Sequence, residues 1–422
     1  MLTVPEAQQL VLAESAPLPS VACELHQAAG LILSESVRSG VDSPPFDKSM
    51  MDGYALRAAD VHRSGVSLEV IGELTAGGEF QGEVAHGTAV RIMTGAPLPV
   101  GADAVVRFED ARLDQGQVHV DLSAVAPGAN VIGRGRMFQT GEVLLDAGRL
   151  LRAQELALLA EVGRASVRVH PSPCAAILAT GDELVPPGTP LGPGQICNSN
   201  ETLLLAQLRT WGCRVQGLGI ARDREDELRE RIQTGLEQDV LLLTGGVSMG
   251  TLDLVPKVLA ELGVRQVFHK VRMKPGKPVW FGVRDPVGRQ SHRTLIFALP
   301  GNPVSSMVCS ELFVRAAVAG LAGNPAPIPQ SIPARLTRDH PQSEDRPTWF
   351  PAWLEFGPEG PLVTPTSWKG SADIRSTVNA NSLISFPQGE RTYPLGHEVH
   401  VLPFDDQIGR IWSGRRSGRV SP

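Results

Sequence analysis

The sequence predicts a multidomain α/β protein, with a doubly wound parallel sheet in the middle of the chain and β-rich regions before and after it. Three observations carry this expectation. Between residues 171 and 323, short apolar segments alternate with amphipathic or charged ones, as strands alternate with helices when a parallel sheet is joined by right-handed crossovers. Several of the predicted strands run straight into turns rich in Gly, Pro, Asn or Asp. Elsewhere the apolar runs are shorter, and the 44 glycines and 34 prolines supply the frequent turns of small β domains.

Taken in order, residues 5–13 and 25–29 carry apolar residues at helical spacing, and Gly30 breaks the second run. Pro44 and Pro45 force an extended entry to the next stretch, where Asp52-Gly53 is a turn signal that exposes a carboxylate. Asp52 reads either as a turn former or as a functional acid. Residues 66–123 alternate in short apolar runs, a small β domain, and Thr94 places a hydroxyl in a tight turn at a strand end. Residues 127–151 read as loop and strand, and 153–162 as a short helix. These segments divide the chain into a discontinuous N-terminal domain (1–40 and 138–170), an inserted β domain (41–137), the α/β domain (171–323), a closing β barrel or sandwich (324–406) and a solvated tail (407–422).

Within the α/β domain, strands are expected over 175–179, 215–220, 240–243, 266–269, 279–283 and 295–299. Helices are expected over 201–211, capped by Asn200, and over 225–236, 252–262 and 304–321. Such sheets bind ligands beyond the carboxyl ends of their strands. The turn Thr180-Gly181-Asp182-Glu183, the turn at Asp223, the run Thr244-Gly245-Gly246 with Ser248, and the turn Pro300-Gly301-Asn302-Pro303 with Ser305 should therefore converge on one edge. Glycines let backbone come close to a ligand, and the positive end of a following helix suits an oxyanion such as phosphate. Asp253, in the first turn of the helix after Gly246, would repel a phosphate unless a cation bridges the two. Any one of these turns alone is an ordinary structural turn. Four together, with carboxylates beside them and the positive charges of Lys274 and Lys277, make a site for an anionic ligand.

Composition excludes several classes. A net charge of -6 and no domain-sized basic face argue against nucleic acid as a partner. No apolar run approaches the roughly 20 residues of a membrane span, and the first residues lack the basic and apolar regions of a signal peptide. Five scattered cysteines without CxxC spacing point to a reducing cytoplasm and to small core filler.

Seven stretches in order, PPFDKSMMDGYALR, RIMTGAPLPVGADAVV, LATGDELVPPGTPLGPGQICNSN, LLLTGGVSMGTLD, VRMKPGKPVWFG, FALPGNPVSSMV and GSADIRSTVNANSLISFP, resemble the MoeA family of molybdopterin molybdenumtransferases, whose relatives include gephyrin. The resemblance covers nearly the whole chain. It implies a four-domain homodimer in which the α/β domain binds molybdopterin and the closing domain is a barrel. It further implies that adenylylated molybdopterin is cleaved with release of AMP, and that molybdate is inserted at the dithiolene sulfurs with the help of a divalent metal, usually Mg2+. The active site would be shared, with Asp52 and Thr94 facing the α/β domain of the partner chain.

On matching positions the resemblance implies catalytic roles for Asp52, Thr94, Glu183, Asp223 and Asp253, with Asp223 and Asp253 as metal ligands. It implies contact with the pterin substrate by Thr180, Gly181, Asp182, Thr244, Gly245, Gly246, Ser248, Pro300, Gly301, Asn302 and Pro303. It implies a molybdate pocket of Lys274, Lys277, Ser305, Arg346 and Ser371. One position departs: where the family has an acidic residue, this chain has Met137, and Glu142 is a nearby carboxylate. The first expectation is thus a cytoplasmic molybdenum insertase. The alternatives are a non-catalytic molybdopterin carrier or scaffold, which Met137 favours, and a tungstate-inserting homologue, since the two oxyanions are nearly equal in size. The pterin-binding pattern occurs once, so a separate molybdopterin adenylyltransferase would supply the substrate.

Overall fold

A computed structural model of the chain describes residues 1–246, 254–288 and 292–404. They form two compact units. One comprises Met1–Ser34, Gly148–Leu156 and the chain from Ser166 onward, and the other comprises Glu35–Ala147 and Ala157–Ala165.

The first unit is built on a six-stranded sheet in the order Arg214–Ala221, Cys174–Thr180, Val240–Thr244, Thr294–Leu299, Trp280–Arg284, Arg265–His269. Val240–Thr244 and Thr294–Leu299 are buried at every position. Helices cover both faces of the sheet, which is why these strands read as unbroken apolar runs rather than alternating ones. Ser199–Thr210 and Pro303–Leu321 pack on one face through Leu204, Leu208, Val304 and Phe313, joined there by Val11 of Val4–Glu14. Glu225–Gly235 and Leu254–Glu261 cover the other through Leu228, Ile232, Val255 and Val258.

The first four strands in that order are parallel, but Trp280–Arg284 runs antiparallel to both its neighbours, Thr294–Leu299 and Arg265–His269. The expected parallel sheet therefore ends at Thr294–Leu299. The loops joining the last three strands are shorter than the dozen or so residues that a parallel crossover takes, so the chain folds back beside itself. Pro303–Leu321 is the one helix among the described residues long and apolar enough to cross a membrane, and 94% of its apolar window is buried in this core.

At the N-terminus, Thr3 and Glu6 form a capping box for Val4–Glu14. The second expected helix does not form. Leu25–Gln27 is a single 3-10 turn, and the strands beside it, Val21–Glu24 and Ile32–Leu33, both pair with Ser166–His170. Pairing with a distant segment outweighs helical spacing in so short a run. After the sheet, Ile332–Leu336, Gly360–Pro365, Thr348–Gly357, Ser382–Phe386 and Glu398–Pro403 close into a barrel. Ile332, Ala334 and Leu336 show the two-residue period that fills it.

The second unit carries a six-stranded sheet in the order Ala104–Arg107, Gly53–Leu56, Thr88–Ile92, Val66–Leu74, Gln117–Val120, Ala111–Asp114. Gly53 opens the second of these strands. A Cβ there would lie 1.9 Å from the Val106 carbonyl oxygen, so the close approach of the paired strand requires glycine.

Candidate functional site

The turns at the carboxyl ends of the parallel strands surround a pocket of about 390 Å³. Thr180, Glu183, Thr244, Gly245, Gly246, Pro300, Gly301 and Asn302 line it, which brings together eight residues singled out in the sequence. Gly245 and Gly246 have φ of 88° and 62°, and a Cβ on Gly245 would meet the Thr180 carbonyl oxygen at 2.4 Å. Both conformation and space therefore demand glycine at Gly245. Its N–H donates to the Leu299 carbonyl at 3.2 Å, so the first amide of this turn joins two strand ends instead of facing a ligand. Ser248 and Asp253 lie outside the described residues.

Asn200 is a pocket residue that sequence reasoning assigned to a different task. Asn198 is the helix cap, its side chain accepting from the Glu201 N–H. Asn200, within the first turn of the helix, donates Nδ2–H to the Gly301 carbonyl at 2.7 Å and lines the pocket. Its Oδ1 is buried with no partner among the described residues, which leaves an acceptor for a ligand N–H or O–H. Two asparagines so close together cannot both cap one helix, and that was the available signal.

The acidic residues cluster at the same strand ends. The Asp223 N–H donates to Asp182 Oδ1 at 3.3 Å, and Arg222 Nη1 donates to the carbonyls of Asp182 at 2.7 Å and Leu184 at 3.3 Å. Burial first, then the negative charges of Asp182 and Glu183, holds the Asp223 carboxyl above its ordinary value of 3.8. A cation here would relieve that repulsion. Among the described residues no three Asp, Glu, His or Cys side chains are grouped to hold a metal. A cation at Asp223 therefore needs oxygens from a ligand or from beyond those residues.

The five residues expected at a molybdate pocket fall into linked sets. Lys274 Nζ donates to Glu344 Oε1 at 2.6 Å, and Arg346 Nη1 reaches the Met273 carbonyl at 3.4 Å. The loop after Arg265–His269 is thus bound to the segment that leads into Thr348–Gly357. Ser371 accepts from Asn302 Nδ2 at 2.9 Å, and its carbonyl accepts the Val304 N–H at 3.0 Å, beside buried Ser305. Lys277 is exposed, and its carbonyl accepts from the Val271 N–H. Gly181 and Pro303 stand in the turns that line the pocket.

In the second unit, Asp52 Oδ1 accepts both the N–H and the Oγ1–H of Thr94, each at 2.7 Å. The backbone bond, then the hydroxyl bond, holds the Asp52 carboxyl below its ordinary range. Both residues are exposed. The Thr94 amide and hydroxyl thus fix the orientation of an exposed, ionised carboxylate.

Family models match three consecutive stretches: the MoeA N-terminal region (domain I and II) over residues 2–163, a probable molybdopterin binding domain over 176–320, and the MoeA C-terminal region (domain IV) over 333–404. The molybdopterin molybdenumtransferase of Staphylococcus aureus strain Mu50 is 31% identical over 409 residues, 95% of each chain. The protein of the same name from Bacillus subtilis is 35% identical over 389 residues, 90% of this chain and 89% of its own. The chain belongs to the MoeA family. Two crystal structures of the molybdopterin biosynthesis MoeA protein of Pyrococcus horikoshii match its fold with TM-scores of 0.82 and 0.78. They are 31% and 28% identical and cover 96% of this chain and 99% and 100% of theirs.

Against the usual MoeA pattern, Met137 is the residue to account for. It is 59% exposed, and its N–H donates to the Ser43 carbonyl at 2.8 Å. Ser43 Oγ sits 3.6 Å from its sulfur and donates to Glu161 Oε1 at 2.7 Å. Glu142 accepts from the Gln139 N–H at 3.1 Å and so closes its own turn.

Proposed function

We propose that this MoeA-family chain is a molybdenum insertase of molybdenum cofactor biosynthesis, which cleaves adenylylated molybdopterin, releases AMP and inserts molybdate at the dithiolene. The observation that carries the reading is the pocket at the strand ends, lined by a Gly-Gly turn, the Glu183 carboxylate and an Asn200 Oδ1 with no partner among the described residues, while Asp182 and Glu183 act on Asp223 at the neighbouring strand end.

In this reading the pterin, a flat ring bearing N–H donors, enters between the Thr244–Gly246 and Pro300–Asn302 turns, and Asn200 Oδ1 accepts one of them. The pyrophosphate lies toward Asp223. Magnesium, when bound by Asp223 and Asp253, supplies charge that offsets repulsion between phosphates and carboxylates. Lys274, Lys277 and Arg346 hold the molybdate with the hydroxyls of Ser305 and Ser371, and molybdate displaces Glu344 from Lys274. Asp52, held ionised by Thr94, meets the same substrate from the partner chain of a homodimer.

The decisive experiment is AMP release from adenylylated molybdopterin by the purified chain, with and without molybdate and magnesium. Release stimulated by molybdate supports the insertase. Tight pterin binding without release supports the non-catalytic carrier, which exposed Met137 favours, and Met137→Asp would then be the variant to test for recovery. Tungstate in place of molybdate separates the two metals. Sedimentation should give about twice the chain mass of 45.0 kDa, and a strict monomer would rule out the shared site. The same reading places the protein in the cytoplasm, downstream of a separate molybdopterin adenylyltransferase.

A further inference from the structure

A second cavity, of about 940 Å³, opens in the barrel region and shares no lining residue with the pocket at the strand ends. Three cationic side chains line it: Arg338, Lys369 and Arg375. Among the described residues none of the three has a carboxylate partner, and Arg338 donates to the Pro365 carbonyl. The single carboxylate among the described lining residues, Asp373, is occupied with backbone. Its Oδ2 accepts the Lys369 N–H at 3.1 Å, and its Oδ1 accepts the Ser376 N–H at 3.3 Å. The described lining therefore carries net positive charge. Beside these cations stands Trp353, a large aromatic side chain that is 48% exposed.

Unpaired cations around a hollow favour an anion, and guanidinium groups suit phosphate through paired N–H donors. An exposed indole next to them offers a face on which a flat heteroaromatic ring can stack. The volume lies within the roughly 300–1,000 Å³ of small-molecule sites. We propose that this cavity is a binding site for a mononucleotide, its phosphate held by Arg338, Lys369 and Arg375 and its base stacked on Trp353. The assignment does not depend on the insertase reading, because it rests on residues outside the pocket used there.

The probe is AMP, added to the full chain in the absence of molybdopterin, with tryptophan fluorescence as the readout. Saturable quenching is expected in the wild type and should be lost in Trp353→Phe, which ties the signal to this cavity. The double variant Lys369→Ala/Arg375→Ala removes two side chains without carboxylate partners, so it should fold with an unchanged melting temperature. Its AMP affinity should fall by roughly tenfold or more, as expected when charge-assisted contacts are lost. Adenosine and inorganic phosphate should each bind much more weakly than AMP. Quenching that persists in Trp353→Phe, or affinity indifferent to the double variant, would overturn the assignment. So would phosphate binding as tightly as AMP, which would leave an anion site without a base. A null result here leaves AMP release at the strand-end pocket measurable, so the two readings fail separately.

Discussion

Asn302 Nδ2 donates to Ser371 Oγ at 2.9 Å, and this bond joins the turn at the end of a central sheet strand to a loop beside the barrel. Asn302 stands at the N-cap position of Pro303–Cys309, yet its side chain makes no capping bond. The amide reaches across the chain instead, and the Val304 N–H to the Ser371 carbonyl doubles the connection. Asn302→Ala should cost no more than about 1 kcal/mol, because the pair is exposed to water. It should nevertheless lower molybdate-stimulated AMP release. Urea midpoints and release rates measured together test this, and a variant with full activity would reduce the bond to a structural tie.

Gly245→Ala should damage both fold and site. The backbone has φ of 88°, and the new Cβ would stand 2.4 Å from the Thr180 carbonyl oxygen. A strained conformation of this kind costs about 1–3 kcal/mol before the clash is added. The melting temperature should fall by several degrees and pterin binding should disappear. Gly40→Ala is the control, since no atom lies within 4 Å of its Cβ position.

Asp223 makes a prediction whose sign can be worked through. Its folded carboxyl titrates above the ordinary 3.8 because of burial and the charges of Asp182 and Glu183. Its contribution to stability is thus fully present below 3.8 and is lost as pH rises through the higher folded value. At neutral pH Asp223→Asn should melt at or above the wild-type temperature, and that difference should close as pH falls toward 3.8. AMP release should be lost at the same time. A variant that melts lower at neutral pH would mean that the carboxylate is already compensated.

Asp52 goes the other way. Thr94 holds its carboxyl below the ordinary range, so the bond supports the fold above that range and is lost as pH falls through the folded value. The group is exposed, and Asp52→Asn should leave the melting temperature at neutral pH nearly unchanged. Substrate turnover should collapse all the same. Undiminished AMP release would return Asp52 to the role of a turn former.

Several features were legible in the residues alone, and each has a local cause. Apolar runs bounded by Gly, Pro, Asn and Asp mark the strand ends, since those residues are the ones that tolerate the turns. The parallel topology then carries Thr180, Thr244 and Pro300 to one edge without further information. Gly245 was readable as a special position, although its steric reason, the Thr180 carbonyl, comes from another strand.

Other features depend on partners far along the chain. Spacing that suits a helix at residues 25–29 yields to pairing of Val21–Glu24 with Ser166–His170. Asn198 and Asn200 are alike in sequence, and only the position of Gly301 makes the second a pocket residue. Lys274 reads as a free cation until Glu344 is found 2.6 Å away. Trp353 stands in none of the stretches that carry the family resemblance and Arg375 within the last of them, yet the two line one cavity. The sequence by itself determined the strand-turn pattern and the chemistry at each turn, because those follow from backbone preferences within a few residues. Tertiary structure decided which polar groups are already paired and which remain open to a ligand, because that balance depends on contacts across the fold.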